Sequence, residues 1–165
     1  MRRKDRQMPE EFALKVIDKC PFAQVAMTDP HGQPYCVPLS VARDGHAIYF
    51  HSAAEGSKTD ILRVNPQVYV SCVGDVTPAK DKFTTEFESA GVYGTASEVT
   101  DRAEKIKALR LICEKYTPSN MGSFNSAIER SLDRTAVWRI SIDSLTGKRK
   151  KYDKSGEEMK FGRTE

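Results

Sequence analysis

The chain of 165 residues lacks the spacings that several large protein classes require. Its four cysteines, Cys20, Cys36, Cys72 and Cys113, are too scattered to form a C-x-x-C. Its three histidines offer no H-x₃-H or H-E-x-x-H spacing. This excludes the common zinc frames, so no metal site is expected and the thiols read as reduced and mostly buried. No apolar run approaches the ~20 residues that cross a bilayer, and no membrane association is expected. The basic start Met1-Arg2-Arg3-Lys4-Asp5-Arg6 is followed by no apolar core, which argues against a secretion signal and for a cytoplasmic location. No internal repeat is present.

The net charge is +3 and the sequence pI about 8.6. Residues 2–6 carry +3 and Lys148-Arg149-Lys150-Lys151 carry +4, so everything between and after them is mildly acidic. A basic groove with base-reading or stacking residues is missing, and no nucleic-acid partner is expected. Both basic ends read as solvated tails. With 39% hydrophobic and 30% charged residues, the composition supports one modest core under a charged surface.

Local patterns point to strands joined by tight turns. Glu10 to Cys20 reads as a helix with Pro9 at its start and Pro21 as its stop. Strands are expected at Phe22–Thr28, Pro34–Ala42 and Ala47–His51, with turns at Asp29-Pro30-His31-Gly32 and Asp44-Gly45. A helix over Ser57–Val64 ends at Asn65-Pro66. Val68–Val73 and Phe87–Val99 are further strands, separated by a charged loop over residues 74–86, and Gly91 and Gly94 predict a bulge or a close backbone approach. Asp101-x-x-Glu104 caps a helix with an apolar face at Ile106, Leu109, Ile112, Cys113 and Tyr116. A looser helical stretch spans Phe124–Leu132, and a sixth strand spans Thr135–Ile142. The polar tail over residues 149–165 is expected to be partly disordered. Consecutive strands with short turns exclude a βαβ pattern and favour a mainly β fold, a six-stranded antiparallel barrel with flanking helices over residues 1–148.

One segment carries chemistry. Tyr49-Phe50-His51-Ser52-Ala53-Ala54-Glu55-Gly56-Ser57-Lys58-Thr59 places hydrogen-bond donors and positive charge between a strand end and a helix start. The free amides of a first helical turn add about half a positive charge, which suits a phosphate. The G-x-x-x-x-G-K-[ST] pattern is not matched, so nucleotide triphosphate binding is excluded. Two readings stand on the residues alone: a phosphate cradle, or a helix capped by Ser57 beside a solvated Lys58.

Further segments fall into order around this one: Asp29–Ser40 (D-P-H-G-Q-P-Y-C-V-P-L-S), Ile48–Lys58 (I-Y-F-H-S-A-A-E-G-S-K), Asn65-Pro66-Gln67-Val68, Ser89–Ala96 (S-A-G-V-Y-G-T-A) and Thr146-Gly147-Lys148. In this order and spacing the chain resembles the pyridoxamine 5'-phosphate oxidase-like FMN-binding split-barrel superfamily, and within it the nitroimidazole-resistance (Nim-type) flavoproteins. The resemblance implies a split barrel forming a homodimer with FMN at the subunit interface. It implies that Pro38, Leu39 and Ser40 line the flavin ring, that Phe50, His51, Ser52 and Lys58 cradle the ribityl phosphate, and that Ser89 lies near the ring. Trp138 or Arg139 would reach the cofactor from the partner subunit.

The resemblance also implies an FMN-dependent oxidoreductase that takes electrons from NAD(P)H or another donor and reduces a small acceptor such as a nitroaromatic. His51 is the candidate catalytic residue, since imidazole can move a proton near neutral pH. The alternative is a flavin-storage or haem-handling protein without turnover; a regulator acting through the basic ends is a third reading. The end Ser155–Glu165 lacks the Arg-Leu-x-Pro segment with which true pyridoxamine-phosphate oxidases bind substrate, which argues against that activity.

Overall fold

The computed structural model describes residues 2–162. Eight strands form one antiparallel sheet: β1 (Gln7–Met8), β2 (Ala23–Thr28), β3 (Pro34–Leu39), β4 (Ala42–Asp44), β5 (Ala47–Ala53), β6 (Gln67–Pro78), β7 (Thr85–Glu98) and β8 (Thr135–Lys150). They lie in the order β3-β2-β6-β7-β8-β5-β4, with β1 paired to the far end of β8. The two end strands, β3 and β4, are neighbours in sequence and are not paired to each other, so the barrel stays split. Helices α1 (Glu10–Lys19), α2 (Ser57–Val64), α3 (Arg102–Tyr116) and α4 (Phe124–Ser131) flank the sheet. No helix among the described residues is long and apolar enough to cross a membrane.

Two apolar clusters hold these layers together. Ala13, Val16 and Ile17 of α1 pack with Val25, Ile48, Phe50, Val70, Val92, Trp138 and Ile140 from five strands. On the other side of β5, Ala47 and Tyr49 pack with Val137 and with Ala108, Leu109 and Ile112 of α3. Strand β5 is therefore buried on both faces over Ala47–Phe50, which accounts for its uninterrupted apolar run. The Asp101 cap reads correctly: its carboxylate accepts from the Glu104 amide at 2.8 Å. Glu104 does not complete a capping box; its side chain accepts a bond from the Tyr49 hydroxyl at 2.8 Å.

The strands differ from the six expected in number, since β1 is added and one run is divided, and in length at two further places. The run Pro34–Ala42 is two strands, because the last turn of α3 takes the backbone groups of Val41. The Val41 amide donates to the Tyr116 hydroxyl at 3.0 Å, and the Val41 carbonyl accepts from Tyr116 Oη at 3.1 Å and Lys115 Nζ at 2.9 Å. Residues 74–86 are not a loop throughout: β6 and β7 extend into a hairpin arm paired as far as Pro78 and Thr85, past a register shift between Val73 and Val76. Without apolar alternation along that arm, a strand that is exposed on most sides is hidden in the sequence.

The third difference concerns the basic run. Lys148, Arg149 and Lys150 lie inside β8, opposite Ser89, Glu88 and Phe87, so they are not part of a solvated tail. The Arg149 guanidinium pairs with Glu88 at 3.5 Å and lies over the rings of Phe12 and Phe161. Glu88 also pairs with Lys19 of α1. The segment that follows folds back on the N-terminus: Arg6 binds Glu158 through two bonds of 2.6 and 2.9 Å, and Lys160 binds Asp5 at 2.9 Å. The Asp5 carboxyl is held well below the usual carboxylate range by Arg3 and then Lys160, and Glu158 is lowered to about 2 chiefly by Arg6. The two basic ends thus neutralise acids around them. Met1 and residues 163–165, which belong to the expected tails, lie outside the described residues.

The expected bulge in β7 is present, as a register shift against β8 between Tyr93 and Gly94. A Cβ at Gly94 would overlap the Ser141 carbonyl oxygen and the Ile140 side chain, whereas one at Gly122 would meet nothing. Gly94→Ala is therefore expected to lower the unfolding free energy in urea by about 1–3 kcal/mol. Gly122→Ala should change it by no more than about 0.5 kcal/mol.

Candidate cofactor site

The site is built where β5 ends and α2 begins. Gly56 is the N-cap of α2 with φ 137°, a backbone conformation that side chains rarely adopt, and no side chain caps the helix. Ser57 is therefore not the cap; the amides of Ser57, Lys58 and Thr59 are left without intrahelical acceptors and face outward. The turn is kept rigid from beneath, since Thr59 is buried and its hydroxyl donates to the Gly56 carbonyl at 2.6 Å. Arg63 ties the preceding loop down by donating to the Ala54 carbonyl at 3.1 Å while pairing with Glu98.

Above these amides lies a cleft of about 190 Å³, lined by Tyr35, Ser52, Ala53, Glu55, Gly56, Ser57, Lys58 and Thr59. Lys58 stands 5.8 Å over the ring of Phe50, and partial burial lowers its ammonium below the ordinary lysine value. No described residue forms an ion pair with Lys58. An ammonium, the Ser57 hydroxyl and free helical amides form a donor set suited to a phosphate, while the Ser52 hydroxyl donates to the Ala53 carbonyl at 2.9 Å and the exposed Glu55 carboxylate on the rim has the opposite effect.

The pleat of β5 separates the expected cradle residues. Phe50 and Ser52 share the face turned to the cleft, whereas His51 shares the other face with Tyr49. Phe50 is fully buried, with its ring stacked on Trp138 at 6.4 Å, so it forms the floor beneath Lys58. His51 keeps an open side to solvent. Crowding by the sheet, and after it the charge of Lys58, lowers its pKa from the ordinary 6.5.

The other expected residues lie elsewhere on the same sheet. Pro38 is opposite Gln24 on the outward face of β3, Leu39 turns partly into the core, and Ser40 stands at the break before Val41. Since β3 pairs only with β2, its second edge is bare over this stretch, about 10 Å along the strand from Tyr35 in the cleft. Ser89 lies on the outer face of β7 in a separate recess of about 340 Å³ with Tyr69, Tyr93, Thr146 and Lys148. Within one chain it is remote from Lys58. Trp138 is buried in the core of its own chain, while Arg139 is exposed and pairs with Glu104 at 3.8 Å. Tyr35 lines the cleft although nothing in the local sequence marks it; only the pairing of β3 with β2, Met27 opposite Tyr35, brings it there.

An open antiparallel sheet with an anion-suited cleft at a strand-to-helix junction defines the split-barrel class. The chain belongs to the pyridoxamine 5'-phosphate oxidase family, whose profile matches residues 9–149. No curated protein matches the chain. Among solved structures, it is similar to a candidate 5-nitroimidazole antibiotic resistance protein from Bacteroides thetaiotaomicron, with 24% identity, TM-score 0.72, and coverage of 86% of this chain and 85% of that one. A conserved hypothetical protein from Mycobacterium tuberculosis matches with 18% identity and TM-score 0.77, over 89% and 88% of the two chains. An FAD- and haem-binding protein from Mycobacterium smegmatis matches with 20% identity and TM-score 0.72, over 96% and 77%. At these identities the likeness establishes the fold.

Because the folded chain lowers the pKa of His51, the neutral imidazole is the form that the fold favours. Its contribution to stability is present above about pH 6.5 and is lost as the pH falls through the folded-state value. In an NMR titration His51 is expected to titrate below 6.5. Lys58→Gln should move it part of the way back, since burial is the larger cause; an unmoved His51 would show that the two groups do not sense each other.

Proposed function

We propose that this protein binds FMN, with the flavin phosphate in the cleft of Ser52, Ser57 and Lys58, and acts as an FMN-dependent oxidoreductase on a small acceptor such as a nitroaromatic. The observation that carries this reading is the Lys58 ammonium. It is partly desolvated, has no carboxylate partner among the described residues, and stands over uncapped helical amides. A dianionic phosphate would satisfy all of these groups together.

The bare edge of β3 supports the rest of the placement. A ligand anchored at the cleft and running about 10 Å along β3 reaches Pro38–Ser40, where unpaired backbone groups can read the polar edge of a ring. Pro38 lacks an amide and so blunts this edge against pairing with another strand. Ser89 is too remote to serve the same cofactor within one chain, which is consistent with a homodimer in which the partner supplies it. FMN would supply the redox chemistry when bound, and NAD(P)H is the proposed electron donor. His51, mostly neutral at pH 7, would act on a proton as a base. Membership in the family, together with flavin binding among proteins of similar fold, supports a flavin over other phosphate-bearing cofactors.

The purified protein is expected to be yellow, or to become so with added FMN, and NAD(P)H should bleach it under anaerobic conditions. Lys58→Ala should weaken FMN binding by about 1.5–3 kcal/mol, measured by fluorescence titration. A protein that takes up no flavin would overturn the proposal. Bound FMN that stays oxidised with NAD(P)H would instead favour a flavin carrier without turnover.

A further inference from the structure

The recess around Ser89, on the outer face of the sheet, has a construction of its own. Cross-strand register builds it from rows of unlike size. Tyr69 of β6 lies opposite Tyr93 of β7, with ring centroids 4.9 Å apart. Two residues along each strand, and so on the same face, comes a row of small side chains: Ser71, Gly91 and Thr146, across β6, β7 and β8. The row beyond that sets Ser89 opposite Lys148. Large side chains therefore stand on both sides of a low row, and the gap between them is the recess of about 340 Å³. Sites for small molecules span ~300–1,000 Å³.

Gly91 is required at the centre. A Cβ there would overlap the Tyr69 hydroxyl, which lies over the glycine, and would crowd the Thr146 hydroxyl. The two tyrosines stay open to solvent, Tyr69 by 38% and Tyr93 by 64%. A tyrosine pair across two strands stabilises a sheet by itself, but that role calls for neither a bare row beside it nor a cation beyond the row. Lys148 is that cation. It is half-buried, its ammonium stands 5.5 Å over the Phe87 ring, and no described residue forms an ion pair with it. Its neighbours differ: Arg149 pairs with Glu88 on the opposite face, and Lys150 donates to the Thr84 hydroxyl.

The donor set narrows the ligand. The amides of β7 are taken up here by pairing with β6 and β8, so the recess lacks the free helical amides that suit the α2 cleft to a phosphate. One ammonium beside the Ser89 hydroxyl answers a single negative charge spread over two oxygens, as in a carboxylate. On the far side of the low row, the exposed tyrosine rings offer flat area against which another ring can lie. A ligand that fills the recess thus carries a ring at one end and a carboxylate at the other.

We propose that this recess binds a planar aromatic carboxylate, with the carboxylate on Lys148 and the ring against Tyr69 and Tyr93. The binding stands on this face alone. A nitroaromatic acceptor bearing a carboxylate belongs to the same ligand class, and only that link rests on the FMN reading.

The test titrates the full chain, as purified, with 4-nitrobenzoate and with 4-nitrobenzamide, which keeps the ring and lacks the charge, by isothermal titration calorimetry. The benzoate is expected to bind about tenfold more tightly than the amide. Lys148→Gln should abolish that preference, and Tyr93→Ala should weaken both ligands. Lys58→Ala should leave the nitrobenzoate affinity unchanged while FMN binding falls, so a failure of the flavin reading leaves this result standing. The comparison of the two ligands on the wild type needs no variant to fold. Equal affinities for the two, no binding of 4-nitrobenzoate, or a preference that survives Lys148→Gln would sink the assignment.

Discussion

The backbone of Val41 is the point on which the architecture turns. Its amide and carbonyl are occupied by Tyr116 and Lys115 from the end of α3, so neither is free to join a sheet. A chain that would otherwise run from β3 into β4 as one strand is broken there, and the two halves go to opposite ends of the sheet. Had those groups remained available, the pairing that closes a barrel would compete with the open form. Three bonds, two of them from a lysine and a tyrosine that sequence periodicity places at the end of an apolar helix, therefore keep the barrel split. The Lys115 ammonium contributes most, because a charge-assisted bond to a carbonyl in partly desolvated surroundings is stronger than a neutral one.

The split has a direct consequence for the site. An edge strand exposes unpaired amides and carbonyls, which in most proteins is a hazard for association. In β3 that edge begins beside Tyr35 in the α2 cleft and ends at Ser40, next to the break itself. The hazard is managed by Pro34 and Pro38, which remove two amides from the strand. The edge is thereby left open to a ligand that needs a few backbone contacts and closed to a strand that needs a regular ladder. The cleft at its start is a separate device with the same logic: Gly56 leaves α2 uncapped, and the Thr59 hydroxyl holds the turn from below so that the free amides keep their direction.

The sequence was legible where one physical pattern acted alone. The helices over residues 10–19, 57–64 and 102–116 follow from apolar spacing and stop signals, and the β7 bulge follows from Gly94. It was illegible where tertiary contacts override local pattern. Nothing near Ser40 announces that a lysine about seventy residues later will take the Val41 carbonyl. The arm of β6 and β7 reads as a loop because a strand exposed on most sides needs no apolar alternation. At the site, the residue types around His51–Lys58 suggest an anion-binding set, and the fold brings Ser52, Ser57 and Lys58 to one cleft. Which of them face the cleft was not legible, since His51 and Ser52 are separated only by the pleat.

Charge shows the same distinction most clearly. By composition, Lys148, Arg149 and Lys58 are equivalent. In the fold, Arg149 lies between Glu88 and two aromatic rings, so its charge is answered within the chain and it serves the joint between α1, β7 and β8. Lys58 has no carboxylate partner among the described residues, and partial burial lowers its pKa. The cation–π contact of the ammonium with the Phe50 ring is weakly favourable, but partial burial of a charge beside uncapped amides costs free energy unless a partner compensates. The unanswered charge therefore points outward from the chain. A ligand bearing two negative charges on one compact group, bound there, would recover both the desolvation of Lys58 and the orphaned amides of α2. That asymmetry between two basic positions, invisible in the net charge, is the strongest physical argument for the proposed phosphate site at the start of α2.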